Sequence, residues 1–467
     1  MCITEWIARK TGTRPLAVFA IAALLLVAPL AADDWDDWNY DAAATSNDDW
    51  NGDDWNGDDW GAWDAGDDEL SISGYFESTG IALLPRELDG EPHFGLQSIL
   101  RLRGRFDPAD SLSVTVEAEY RDRRGAANPL TRQSLMGAPS LDESAQGQFP
   151  STDFNREFVF DYAYASARFG PVDLRVGRQP LAWGTAYAFN PTELMNPASL
   201  AELTGVEPPG ITAIAPSISL GSGFGLEGYV AFEDRSRQAT ALSGLAEAGN
   251  LPAGARARAY LGTWDLAAGV VRSVEVVSAA AGSDVAPAVD DYAVAELAGP
   301  IGPVTFYGEA AVEIDPDDQW EAERSIDGAV GFQYELPFEI GLQAEYHRRG
   351  RGETDTANYD PQARIAGRLA ARDYLVGIVD FHLFDNRVHS VFAALTNLND
   401  GSVAFMPEVQ YSPYSDLEIS LGGSVLFGPD ESEFDGRFDL PTGPGPDDVA
   451  EVDIARSQLY LSAKWYF

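Results

Sequence analysis

The stretch FEIGLQAEYH, Phe338 to His347, alternates apolar and polar side chains at every step. In an extended chain successive side chains point to opposite faces. Phe338, Ile340, Leu342, Ala344 and Tyr346 therefore share one face, and Glu339, Gly341, Gln343, Glu345 and His347 the other. The same period of two runs through IDGAVGFQYE (326–335), PVTFYGEAAVE (303–313), GLEGYVAFE (225–233), DLEISLGGSVLF (416–427) and ILRLRGRF (99–106). After Leu70 no segment holds a sustained 3.6-residue apolar period, so the chain reads as strands with one greasy and one polar face.

Two architectures accommodate such strands. A soluble sandwich buries the apolar face; a membrane barrel turns it outward to lipid. The spacing predicts about eighteen strands, with sixteen as the alternative count. They begin near Leu70, Gln97, Ser111, Arg156, Val172, Gly210, Gly225, Arg256, Trp264, Asp291, Pro303, Ser325, Phe338, Arg372, Arg387, Ser402, Asp416 and Ala455. Alternate connections are tight (DPAD, FGP, GSGF, LGT, GPIG, LP, FDNR and SPYS), and long polar stretches lie between them. Short turns on one rim and long loops on the other are the mark of an up-and-down transmembrane β-barrel with periplasmic turns and extracellular loops. The closing segment LYLSAKWYF places Leu459, Leu461, Ala463, Trp465 and Phe467 on one face. With Trp465 and Phe467 it resembles the terminal-strand signal read by the outer-membrane barrel assembly machinery.

The first 32 residues are expected to be an export signal. Arg9, Lys10 and Arg14 precede the apolar run Leu16–Ala28, and small residues lead to a cleavage point after Ala32. Thirteen apolar residues are too few to span a bilayer core of about 30 Å. Cys2, the sole cysteine, falls within this segment, so residues 33–467 have neither disulfide nor thiolate chemistry. A formal charge of −43 excludes nucleic acid as a partner.

Residues 33–69 hold fourteen Asp, one Glu and six Trp without a single Lys or Arg. With +2 on the signal segment and −15 here, −30 of the charge belongs to residues 70–467. Such density cannot collapse into a core, so an acidic disordered periplasmic tail is expected. Asp49, Asn51, Asp53, Asp54, Asn56 and Asp58 imitate half of a calcium loop. They lack the Gly at position six and the bidentate Glu at twelve, so only weak calcium binding fits, and no tightly bound cofactor is expected. The six Trp favour an envelope partner.

Eighteen strands enclose a lumen too wide for side chains alone to fill, which makes an aqueous channel the default. Alternation directs Glu77, Glu117, Glu119, Glu157, Asp161, Glu227, Glu309, Asp327, Glu335, Glu339, Glu345 and Glu418 inward, against Arg101, Arg103, Arg105, Arg175 and Lys464. A mostly acidic wall concentrates cations. The Arg101–Arg103–Arg105 ladder faces Glu117 and Glu119 on the next strand. It is either cross-strand ion pairing or one side of a constriction.

The loop Gln179–Gly210 is the third on the long rim. Trp183, Tyr187 and Phe189 are poor solvent-facing residues, so it should fold inward and pack. Its residues Gly177-Arg178-Gln179, Trp183-Gly184, Asn190-Pro191 and Asn196-Pro197 resemble a GRQ…WG…NP motif of porin-like Gram-negative outer-membrane barrels. The resemblance implies that Arg178, Gln179, Trp183 and Asn190 shape the pore or anchor the infolded loop. The barrel reading itself leads to the expectation of passive diffusion of small hydrophilic solutes, in contact with outer-membrane lipids and lipopolysaccharide, with homo-oligomers a common arrangement among porins. The alternative is an outer-membrane anchor or adhesin working through its loops or tail.

Enzymatic readings do not survive inspection. His389 and Ser390 imitate a lipase pair, but adjacent strand residues face opposite ways. No HExxH, GxSxG or phosphate-binding glycine loop occurs. His382 and His389 flank the turn LFDNRV and, with Asp380 or Asp385, form a candidate metal ligand set, although ordinary rim chemistry is the more frequent role of such a pair.

Overall fold

The computed structural model describes residues 70–84, 92–127, 154–195, 209–233, 251–276, 287–314, 325–361, 364, 368–441, 449–453 and 457–467. The export signal, the acidic tail and its cation candidates lie outside these residues.

The strands are β1 (Leu70–Leu84), β2 (His93–Ala109), β3 (Leu112–Gly125), β4 (Phe154–Phe169), β5 (Val172–Gln179), β6 (Ile211–Ser219) and β7 (Phe224–Ala231). They continue with β8 (Ala253–Leu261), β9 (Trp264–Val276), β10 (Pro287–Ile301), β11 (Val304–Glu313), β12 (Ile326–Leu336), β13 (Ile340–Arg348) and β14 (Asp373–Leu383). The last are β15 (Val388–Asn397), β16 (Val403–Tyr414), β17 (Leu417–Phe427), the short β18 (Arg437–Pro441) and β19 (Val449–Asp453), and β20 (Ser457–Tyr466). Eighteen of them pair antiparallel with their neighbours, and β20 pairs with both β17 and β1, which closes the barrel. Phe467 completes the seam by exchanging two backbone hydrogen bonds with Gly74.

Strands begin close to where alternation places them, with two corrections. Phe338 and Glu339 are not strand residues. They occupy the turn before β13 with φ of 72° and 57°, and the ladder closes at Leu336↔Ile340. The loop after β17 also carries an extra two-stranded hairpin, β18–β19, apart from the barrel. Its five-residue strands lie inside a long polar connection, where no extended alternation marks them.

The outer face is apolar. Phe76, Leu102, Phe158, Val270, Val330, Leu421, Leu461 and Trp465 all stand exposed on it, a surface suited to hydrocarbon rather than water. The inner face is more varied than a uniformly polar lining. On β14 to β16 the inward positions Val376, Ile378, Ala393, Leu395, Ala404 and Met406 are apolar. They form a core with Ala188 and Phe189 of the third loop, Tyr359 and Leu369–Ala371 of the loop after β13, and Phe434 of the loop after β17. Three long-rim loops thus fold into the barrel and give this part of the wall something dry to pack against.

Candidate functional site

The charged wall is built by β2, β3 and β4. Register sets Arg101 opposite Glu119 and Arg103 opposite Glu117, inner positions two residues apart on each strand. Arg101 reaches Glu117 at 2.5 Å and Glu119 at 3.0 Å, and also pairs with Asp161. Arg103 holds the other oxygen of Glu117 at 2.7 Å, and Arg121 holds Glu119 at 2.6 Å. Asp161 enters this cluster through a bulge. Glu117 pairs with Tyr162 and Ala118 with Phe160, which leaves Asp161 as the extra residue of β4. A bulge re-aims a side chain, and here it turns Asp161 toward both Arg101 and the backbone N–H of Gly210, 3.2 Å away. A side chain on Gly210 would collide with the Asp161 carbonyl, so glycine is needed where the third loop returns.

The structure therefore brings together Arg101, Arg103, Glu117, Glu119 and Asp161. Arg105 stands apart, half exposed toward the short-turn rim and paired with Asp107 at 3.0 Å. Arg175 lies on β5 without an ion pair to any described residue. Glu335 and Glu339, expected inside, are exposed at the short-turn rim, because β12 ends at Leu336 and the turn begins there.

The third loop, described from Pro180 to Met195, folds into the lumen. Its stem residues Leu181, Leu194 and Met195 pack with Ile211, Ala213, Tyr229, Ala231, Val271, Val294 and Ala311 on the inner faces of β6 to β11. Two wall carboxylates hold its backbone. Glu309 on β11 accepts from the amides of Thr185 at 2.6 Å, Ala186 at 3.1 Å and Thr192 at 3.2 Å. Glu345 on β13 accepts from Tyr187 at 2.8 Å, Ala188 at 3.0 Å and Phe189 at 3.1 Å, and from the Tyr307 hydroxyl at 3.1 Å. Five successive amides thus converge on two carboxylates. A buried carboxylate without a cation survives when charge-assisted hydrogen bonds fill its oxygens.

The motif residues have definite tasks in this arrangement. Gly177 has φ of 123° at the end of β5. Arg178 Nη1 donates to both oxygens of Glu233 at 2.9 and 3.1 Å, and Gln179 donates to the Ala213 carbonyl at 2.9 Å. The Trp183 amide donates to Glu193 at 2.6 Å; its ring meets Tyr229 edge-on and lies 4.6 Å beneath the Arg256 guanidinium. Arg256 Nη1 in turn donates to both oxygens of Glu296 at 2.9 Å. Gly184 has φ of 119°, and a Cβ there would stand 2.7 Å from Glu309 Oε2 and 2.8 Å from Asn190 Oδ1. Glycine thus lets the loop approach its anchoring carboxylate.

Sequence reasoning places Glu309 and Glu345 on the wall but does not pair them with the loop. It omits Glu193, Glu233, Arg256 and Glu296. The RAR alternation of Arg256 and Arg258 was the available signal for a second basic ladder. Trp465 faces outward and donates to Asp416 at 3.1 Å.

No protein-family model and no curated protein sequence matches the chain. Among solved structures it is similar to Acinetobacter baumannii OccAB4 at 7% identity and TM-score 0.49, covering 86% of this chain and 98% of that one. Acinetobacter baumannii OccAB3 follows at 9% identity and TM-score 0.47, with 85% and 99% covered. Salmonella typhi OmpF, solved in complex with daunomycin, gives 11% identity and TM-score 0.40, with 85% and 98% covered. At these values the likeness is one of general barrel shape, and no residue or solute is carried across.

Proposed function

We propose that this protein is a porin-like channel of a Gram-negative outer membrane. It passes small hydrophilic solutes by diffusion, favours cations, and has the third loop at its narrowest point. One observation carries the reading: residues 181–195 lie inside the barrel, bound to Glu309 and Glu345 on one side and linked through Gly210 to the Arg101–Asp161 cluster on the other. A loop tethered across a lumen narrows it without closing the charged wall beside it. The apolar outer belt supports placement in lipid, with the short-turn rim, where β1 begins at Leu70, toward the periplasm.

Cation preference rests on charge. Buried carboxylates outnumber buried basic side chains on the wall, and around the seam Glu77, Glu408 and Glu418 gather near Lys464. A low-dielectric wall with excess negative charge raises the local cation concentration.

Planar-bilayer recording tests both parts. Conductance steps and a reversal potential on the potassium side in a KCl gradient are expected. Absence of steps sinks the channel; chloride preference sinks the electrostatic argument and leaves the channel standing. A second reading, a membrane anchor or adhesin, is favoured by the packed inward fold of three long-rim loops, and silent bilayers would favour it.

A further inference from the structure

Hairpin β14–β15 brings together a set of groups that the channel reading does not use. Asp380 and His382 are inner-face positions on β14, in line with the inward Val376 and Ile378. His389 stands directly opposite His382 in the register, and the two rings stack 4.2 Å apart at 4°. One donor atom each from Asp380, His382 and His389 falls within 4.8 Å of the others. The turn carboxylate Asp385, the other sequence candidate, stays out in the exposed turn with φ of 55°.

Two further features bear on this cluster. Gln410 on β16 is the cross-strand partner of His389. It is 8% exposed, and its amide oxygen accepts no hydrogen bond from the described residues. Directly opposed strand residues have Cβ atoms about 4.5–5.5 Å apart, which brings that oxygen within reach of the pair. On the other flank Gly341 opposes Asp380, and a Cβ there would stand 2.1 Å from Asp380 Oδ1. The carboxylate thus occupies space that only a glycine leaves.

We propose that Asp380, His382 and His389, with the Gln410 amide oxygen as fourth donor, form a binding site for a divalent first-row transition-metal ion on the inner wall, near the short-turn end. Two imidazoles, a carboxylate and an amide oxygen suit zinc, cobalt, nickel or copper better than calcium or magnesium, which take oxygen-only shells. Tetrahedral metal bonds of about 2.0–2.2 Å set donors roughly 3.3–3.6 Å apart. Binding therefore draws in donors that stand within 4.8 Å of one another and tilts the imidazoles out of their parallel stack. An ion there would staple β14 to β15 above a turn that runs through three left-handed non-glycine residues, Phe384, Asp385 and Asn386.

The test is Co2+ titration of the chelator-stripped, folded full chain in detergent, read by the visible absorption of nitrogen-ligated cobalt. One equivalent is expected to saturate the band, Zn2+ to displace it, and Ca2+ or Mg2+ in excess to leave it in place. His382→Ala and His389→Ala should each abolish the band. Gln410→Leu should weaken binding by at least the roughly 10- to 100-fold that loss of an outer-shell partner costs. His93→Ala, at the opposite rim, should change nothing. No saturable band in the unaltered chain, or a band that survives loss of both His382 and His389, overturns the site. Displacement by Zn2+ is measured on the unaltered chain and does not depend on any variant folding. None of these readouts requires the barrel to conduct.

Discussion

Two parts of the inner wall use the same residue for different ends. On β2 to β4, Glu117 and Glu119 meet guanidinium groups across the sheet, and the interaction is complete within neighbouring strands. On β11 and β13, Glu309 and Glu345 meet backbone amides of a loop from the far side of the chain. In the first region charge cancels charge and stiffens a wall. In the second, carboxylates position a loop, because each presents two oxygens that accept several backbone N–H groups at once. The partner, rather than the residue type, decides whether an inward glutamate stiffens the wall or holds a loop.

Substitutions can break this contrast. The largest effect is expected from Glu309→Ala combined with Glu345→Ala. Each removed acceptor forfeits several charged hydrogen bonds worth about 1.5–3 kcal/mol apiece. The third loop should detach, unit conductance rise, and the 181–195 segment become cleavable by protease. Unchanged conductance with an uncut loop would mean that the loop is held by apolar packing alone.

Arg101→Ala leaves Glu117, Glu119 and Asp161 buried around a missing cation, a loss of about 3–5 kcal/mol. Thermal unfolding should shift down, and potassium selectivity should rise in those barrels that fold. Arg101→Lys should recover only part of this, since an ammonium cannot fork toward three carboxylates.

Gly184→Ala is expected to cost about 1–3 kcal/mol through its positive φ and the approach of Glu309. A conductance change without any change in β-sheet circular dichroism would locate the damage in the loop.

A smaller effect concerns pH. Glu433, in the loop after β17, is buried and accepts from Tyr374, Ala370 and Asn397. Burial pushes its carboxyl above the usual 4.5. A raised folded value means that the folded loop prefers the protonated acid. Stability from this group therefore falls as pH rises from the ordinary carboxylate value through the raised one, and is regained on acidification. Hydrogen-exchange protection of residues 428–436 should follow that course and become pH-independent in Glu433→Gln. Arg105→Ala sets the floor: its pair with Asp107 is solvent-exposed, so a change within about 1 kcal/mol is expected.

Much of the barrel was legible because strand signals are local. The alternation in 340–347, the tight turns at Gly170, Gly262 and Gly302, and the aromatic-rich β20 all declare themselves within a dozen residues. The facing of Arg101 and Arg103 with Glu117 and Glu119 was equally readable, since a short hairpin sets the register between two consecutive strands. Legibility ended where alternation broke. Phe338 and Glu339 carry a strand pattern into a left-handed turn, which closes the hairpin at Leu336 and Ile340. The bulge at Asp161, itself on the expected inner face, shifts the parity of β4 beyond it, so Tyr162 is buried beside it where alternation alone would turn it outward.

By itself, then, the sequence determined a barrel of sixteen or eighteen amphipathic strands with long loops on one rim, because period-two patterning and turn chemistry act between near neighbours; the pairing of β20 with β17 and β1 settled eighteen. Tertiary structure alone decided what the inward groups do. Tyr187 and Glu345 lie 158 residues apart and meet only when the barrel closes around the loop. The apolar inner patch of β14 to β16 likewise becomes a core only when three loops arrive to cover it. A buried acid takes whichever donor the closed barrel brings to it, and no local pattern records which one that is.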